Sequence, residues 1–194
     1  MNLKKCANYL VGFFSILVFS HCKNEAGKPN SSVEIIDSVE QNKLFSKLIN
    51  LCESNVNNAV RDDSLAFLVL PVRATCPYCR RKTIDSISAR LNKIPANRVV
   101  IISAKGGYKL INSYFKEQER ELPKNAAQIV LDSNDIAYKE GLYGDKPIMY
   151  YAFNRKVYKK VESVSSTIKD DLHNFFFFSN TESRDLTKRE IFEK

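Results

Sequence analysis

The sequence has no tryptophan, only two histidines, and no acidic side chain anywhere from Ser64 to Ile84. Each scarcity removes a class of function. His21 and His173 stand far from one another and from the paired cysteines, so cysteine–histidine catalysis is not the expected chemistry. A zinc site would have to add Cys52 and His173 to a cysteine pair at irregular distances, and no metal is expected. Six glycines include no loop of phosphate-cradling spacing, and no cofactor is implied. A basic run is missing too. The net charge of +8 is dispersed, and without Lys4 and Lys5 it falls to 28 basic against 22 acidic residues, or +6. Such a balance favours solubility and attraction to anionic surfaces, and no nucleic acid is expected as a partner. Long hydrophobic runs are also absent: the apolar stretch from Tyr9 to Phe19 is too short to span a bilayer comfortably.

What is present begins with a leader. Lys4 and Lys5 precede that apolar stretch, and Phe19-Ser20-His21-Cys22 follows as a processing site. Residues 23–36 are polar, with Gly27 and Pro29, and read as a tether. A leader ending in cysteine resembles the bacterial lipoprotein pattern, which implies lipid on Cys22 and a place in the bacterial cell envelope. Phe19 and His21 depart from that pattern, which usually has leucine and a small residue there. The expected organisation is a leader over 1–22, a tether over 23–36, a folded domain over 37–178 and a polar tail over 179–194.

The domain is organised around Ser64 to Leu91. Leu65 to Leu70 is a continuous apolar run suited to the buried centre of a sheet, and Pro71 ends it. Thr75-Cys76-Pro77-Tyr78-Cys79 follows, then Ile84, Ile87, Leu91 and Ile94 at helical spacing until Pro95. Pro77 suits a first helical position. The pair Cys76 and Cys79 therefore lies where a strand hands over to a helix, with the first sulfur at the positive end of the helix dipole. Arg73, Arg80, Arg81 and Lys82 crowd the same stretch, and cations favour a thiolate, so the pKa of Cys76 is expected to be depressed and Cys79 to be the shielded, resolving thiol. A lone C-x-x-C pair is also half of a zinc site, and only the flanking order of elements decides between the two.

Strand, C-x-x-C and helix in this order resemble the thioredoxin superfamily, and Cys76-Pro77-Tyr78-Cys79 is the form found in glutaredoxins. Further runs extend the resemblance. Arg98 to Ile102 reads as a strand, Tyr108 to Glu121 as a helix, Ala127 to Leu131 as a strand ending in Asp132, and Ser133 to Gly141 as a short helix or turn. Ile148 to Phe153 and Val157 to Val161 flank an Asn154-Arg155 turn, and a last helix runs from about Val164 to Phe178. Ahead of the active stretch, Leu44, Phe45, Leu48, Ile49, Cys52, Val56 and Val60 form one apolar helical stripe, so Cys52 is read as a buried structural thiol.

The order is similar to that of membrane-tethered TlpA-like thiol:disulfide oxidoreductases. The resemblance implies an α/β fold, a thioredoxin-like central sheet with helices on both faces, plus an N-terminal helix. It implies a cis-proline at Pro147 facing the dithiol, with the backbone of Lys146 pairing with substrate and Pro77 and Tyr78 beside it. Implied partners are protein disulfide or dithiol substrates and a membrane electron donor or acceptor. Two features depart from the thioredoxin pattern: no tryptophan precedes Cys76, and the strand beneath the cysteines carries no carboxylate, leaving water or a more distant acid such as Asp132 as the base for Cys79. The alternative reading is a lipid-anchored binding module, without catalysis, in which Cys76–Cys79 is a structural disulfide.

Overall fold

The computed structural model describes residues 32–52, 56, 63–123 and 126–177, which build one six-stranded mixed sheet with helices on both faces. The leader with Cys22, the tether up to residue 31, residue 178 and the tail over 179–194 lie outside the described residues. In chain order the elements are β1 (Ser32–Glu34), α1 (Ser38–Leu51), β2 (Leu65–Pro71), α2 (Pro77–Arg90), β3 (Arg98–Ser103), α3 (Gly107–Lys116), β4 (Ile129–Asp132), α4 (Ile136–Lys139), β5 (Ile148–Phe153), β6 (Lys156–Glu162) and α5 (Ile168–Phe177). Among the described residues no helix is long and apolar enough to cross a membrane.

The strand order is β1-β6-β5-β2-β3-β4. β2, β3 and β4 run parallel, whereas β5 is antiparallel to β2 and β6 to β5. Every residue of β2 is buried, and the pleat sends alternate side chains to opposite faces. Ala66, Leu68 and Leu70 join a core with residues of α2, α3 and α5. Leu65, Phe67 and Val69 join a second core with residues of α1 and α4. The steps from β2 to β3 and from β3 to β4 go the same way along the sheet, so two right-handed crossovers put α2 and α3 on one face. This is the expected α/β architecture with a thioredoxin-like central sheet.

Two local outcomes differ from the sequence reading, and a third, the Asn154-Arg155 turn, is as expected. Ser32–Glu34 pairs antiparallel with β6, so ordered structure begins within the stretch read as tether, upstream of residue 37. The third helix stops at Lys116 instead of continuing to Glu121, because Glu119 adopts a left-handed conformation (φ 56°) and the N–H of Arg120 turns back to the Phe115 carbonyl. The β5–β6 hairpin turns through Asn154 and Arg155, both at positive φ, the backbone that a two-residue turn between twisted strands requires.

One buried charge ties the sheet to the last helix. Arg98, 4% exposed at the start of β3, donates from Nε to the Phe175 carbonyl of α5 at 2.8 Å, and burial lowers its pKa from the usual guanidinium range. Changing Arg98 to Leu leaves that carbonyl without its donor. The expected loss of unfolding free energy is about 2 kcal/mol, measured by denaturant titration, whereas an unchanged midpoint would show that the carbonyl finds another partner.

Candidate functional site

Pro71 closes the β2 ladder, and the N–H of Ala74 donates to the Pro71 carbonyl at 3.0 Å, turning the chain towards α2. Cys76 is the N-cap of that helix, with extended backbone (φ −94°, ψ 93°), and Pro77 takes the first helical turn, where a missing N–H costs nothing. Cys76 and Cys79 form a disulfide with their Cα atoms 5.3 Å apart. The two sulfurs differ in surroundings. Cys76 is half-buried and its Sγ accepts a hydrogen bond from the Cys79 backbone N–H at 3.1 Å; Cys79 is fully buried against the sheet. A helix N-terminus with an N–H aimed at sulfur stabilises negative charge there once the bond is opened.

The cations expected to crowd the sulfurs are distributed over several roles. Arg80 folds back, with Nη1 donating to the Val72 carbonyl at 3.2 Å and the guanidinium 4.3 Å from the centre of the Tyr114 ring. Its guanidinium is therefore held against the β2–α2 loop. Arg81 and Lys82 lie 5.8 and 5.7 Å from the Tyr78 ring, and Arg73 is exposed. Pro77 is exposed and Tyr78 half-buried beside the dithiol, so both flank the accessible sulfur in sequence and in surface.

A carboxylate that the sequence reading did not weigh stands beside this pair. The N–H of Thr75 donates to the Asp145 carbonyl at 2.9 Å, and Thr75 Oγ1 donates to Asp145 Oδ2 at 2.7 Å. The loop before Pro147 is thus clamped to the residue immediately ahead of Cys76. The clue available in sequence was the position of Asp145, two residues before Pro147 in the loop assigned to face the dithiol. Changing Asp145 to Asn removes negative charge next to Thr75. Alkylation of reduced Cys76 at pH 7 is expected to speed up about fivefold, while an unaltered rate would mean the carboxylate does not influence the sulfur.

Lys146 is not a free cation at the sulfurs. Its Nζ pairs with Glu162 Oε1 at 2.8 Å, and the hydrogen bond and charge of Glu162 raise its pKa. The expected cis-proline is corrected: no cis peptide bond occurs among the described residues, so the bond before Pro147 is trans. Trans is the cheaper isomer, and the strand entry is made by other bonds, with the Pro147 carbonyl accepting from the N–H of Ser163 at 2.9 Å. Lys146 forms no main-chain hydrogen bond among the described residues.

Asp132, considered as a distant base for Cys79, has another occupation. Its carboxylate is 5% exposed and accepts from Ser103 Oγ at 2.7 Å and from the N–H groups of Ile136 and Ala137 at 2.9 and 2.8 Å, which anchors α4 to the end of β4. Asp135 shares the Ser103 hydroxyl and accepts from the Tyr143 hydroxyl. Cys52 is fully buried in the core on the α1 face, whereas Cys79 belongs to the core on the α2 face, so the sheet separates them. Burial pushes the Cys52 thiol up to about 12. His173 lies on α5 with its ring 4.8 Å from that of Phe177.

The chain matches no protein-family model and no curated protein. The site itself carries the functional argument. It combines a C-x-x-C disulfide at a helix N-cap, one reachable sulfur with an N–H donor, one buried sulfur, and a clamped loop beside them.

Proposed function

We propose that the protein is a thiol:disulfide oxidoreductase acting on protein substrates, thioredoxin-like in class, and carried outside the cytoplasm on a lipid at Cys22. The observation that supports it best is the asymmetry of the pair: Cys76 is reachable and held by the Cys79 N–H at 3.1 Å, while Cys79 is fully buried. Nucleophilic attack needs a reachable sulfur, and the burial of Cys79 leaves Cys76 as the sulfur a substrate meets first, with Cys79 close enough to resolve the product.

In the reducing direction, the Cys76 thiolate attacks one sulfur of a substrate disulfide. A Cys76–substrate bond forms as the substrate bond breaks, and one substrate sulfur leaves as thiolate. Cys79 then loses its proton and attacks Cys76 Sγ, forming the Cys76–Cys79 disulfide and expelling the second substrate sulfur. Two electrons pass to the substrate, whose thiolates take up two protons; a membrane dithiol donor restores the pair. Run in reverse, the same steps oxidise a substrate dithiol. An extended substrate segment pairs with the free main-chain groups of Lys146, next to Pro147, with Pro77 and Tyr78 forming the other side of the contact.

With no carboxylate under Cys79 and Asp132 engaged at α4, water reaching the mixed disulfide takes the Cys79 proton. Incubating the reduced domain with a disulfide-containing protein tests the reading. Loss of the substrate disulfide matched by oxidation of Cys76 and Cys79 is expected; a substrate left intact while the dithiol stays reduced would sink it.

A further inference from the structure

A shallow groove of about 240 Å³ lies between α2 and α5, lined by Lys82, Ser86, Arg90, Lys169, Leu172 and His173. Lys82, Ser86 and Arg90 recur every four residues and so share one face of α2; Lys169, Leu172 and His173 do the same at steps of three and one on α5. Two lysines, an arginine, an imidazole and a hydroxyl converge there, and no acidic side chain is among the lining residues. Two of the neighbouring carboxylates are turned to other partners, and Asp170, beside Lys169 on α5, is not among the lining residues. Asp85 binds Arg120 at 3.1 Å, and Asp171 accepts from Thr167 Oγ1 at 2.8 Å.

Arg90 is held in place from behind. Its guanidinium lies 5.2 Å from the Phe176 ring and 4.7 Å from the Phe177 ring, and Nη1 donates to the Ser86 carbonyl at 3.4 Å. Its Nε is shielded from solvent and has no hydrogen-bond partner among the described residues. Like charges gathered on a lining that holds no carboxylate repel one another, and a guanidinium fixed by aromatic rings is pre-organised for an oxyanion.

We propose that this groove binds a phosphate group, as free inorganic phosphate or as a phosphate-bearing headgroup. The volume suits a tetrahedral anion with a few waters of about 30 Å³ each, and is too small for a folded segment. Three permanent cations match a ligand carrying about two negative charges at neutral pH. Lys82 is common to the groove and the surroundings of Tyr78, and the test is run on the disulfide-intact protein so that it does not depend on redox activity.

Inorganic phosphate is titrated into the isotope-labelled, disulfide-intact protein at low ionic strength, and backbone amide shifts are followed. Saturable shifts centred on Lys82, Ser86, Arg90, Lys169 and His173 are expected, with at least about tenfold weaker binding in the double variant K82Q/K169Q. The charge-matched control K105Q/K109Q, on exposed α3-side lysines, is expected to bind as the parent does. Vesicles of phosphatidylcholine with and without phosphatidic acid separate the sources. Co-sedimentation that requires phosphatidic acid and is lost in K82Q/K169Q assigns a lipid headgroup, whereas binding of free phosphate alone assigns a soluble ligand. Scattered or non-saturating shifts without vesicle binding, or equal weakening in both double variants, would overturn the proposal.

Discussion

Changing Cys76 to Ser is expected to abolish disulfide exchange, with a loss of at least about a thousandfold in rate, because a serine hydroxyl is not ionised near neutral pH and cannot carry the sulfur bond. Changing Cys79 to Ser is expected to do something different. The first attack still proceeds through Cys76, but nothing resolves the product, so the variant accumulates as a mixed disulfide with its substrate. The asymmetry follows from the geometry, since Cys76 is half-buried and Cys79 fully buried. Non-reducing electrophoresis distinguishes the two variants: a thiol-sensitive adduct from C79S and none from C76S. Equal adducts from both would mean that Cys79 is reachable from outside. Full exchange activity in C76S would move the chemistry elsewhere in the chain.

The contrast between Cys76 and Cys52 is the second large effect. Burial raises the Cys52 thiol from 9.0 to about 12, so at pH 7 the folded protein holds it almost wholly as the unreactive neutral thiol. Each unit by which a pKa is raised lowers the thiolate fraction tenfold at fixed pH, so Cys52 has about a thousandfold less thiolate than an ordinary cysteine before its inaccessibility is counted. Cys76, once reduced, has the α2 N-terminus and the Cys79 N–H to stabilise its thiolate. In the reduced native protein at pH 7, alkylation of Cys76 is therefore expected to outpace that of Cys52 by more than about a thousandfold, with Cys52 reacting only after denaturant is added. Mass spectrometry of timed alkylations reads both sites at once. Comparable rates at the two cysteines would remove the case for an activated Cys76.

The central strand and the helix carrying the cysteines were legible because their signals are local. An unbroken apolar run from Leu65 to Leu70 belongs to a strand covered on both faces, and the structure buries every residue of it. Pro77 at the helix start and the spacing of Ile84 and Ile87 likewise depend only on near neighbours. Cys52, on a helical apolar stripe, proved to be fully buried for the same reason. Strand β1 was not legible: three residues in a polar stretch are held by backbone pairing to β6, which leaves no side-chain pattern to read. Glu119 ended α3 early through a left-handed backbone that a non-glycine residue does not advertise.

The site was legible in its sulfurs and not in its charges. Asp145 meets Thr75 across seventy positions of sequence, and Lys146 meets Glu162 across sixteen, so neither pairing could be inferred from the residues around Cys76. The field at the sulfur is consequently less positive than a count along Ser64 to Ile84 implies. Lys146 is paired with Glu162, and a carboxylate is clamped to the residue before Cys76. The isomer at Pro147 was likewise beyond reach of the sequence, because the two forms of such a bond differ by only about 0.5–1 kcal/mol and surrounding contacts decide between them.

The reading that competes with exchange is a binding module in which the Cys76–Cys79 disulfide is a staple, and the wholly apolar strand beneath Cys79 is the observation in its favour. Reduction potential separates the two most directly. The disulfide-intact protein is equilibrated in graded thiol buffers and the free thiols are counted by alkylation. A potential between about −120 and −270 mV is expected, within the range of working exchange proteins. A value below about −300 mV would mark a structural bond and contradict the proposed function.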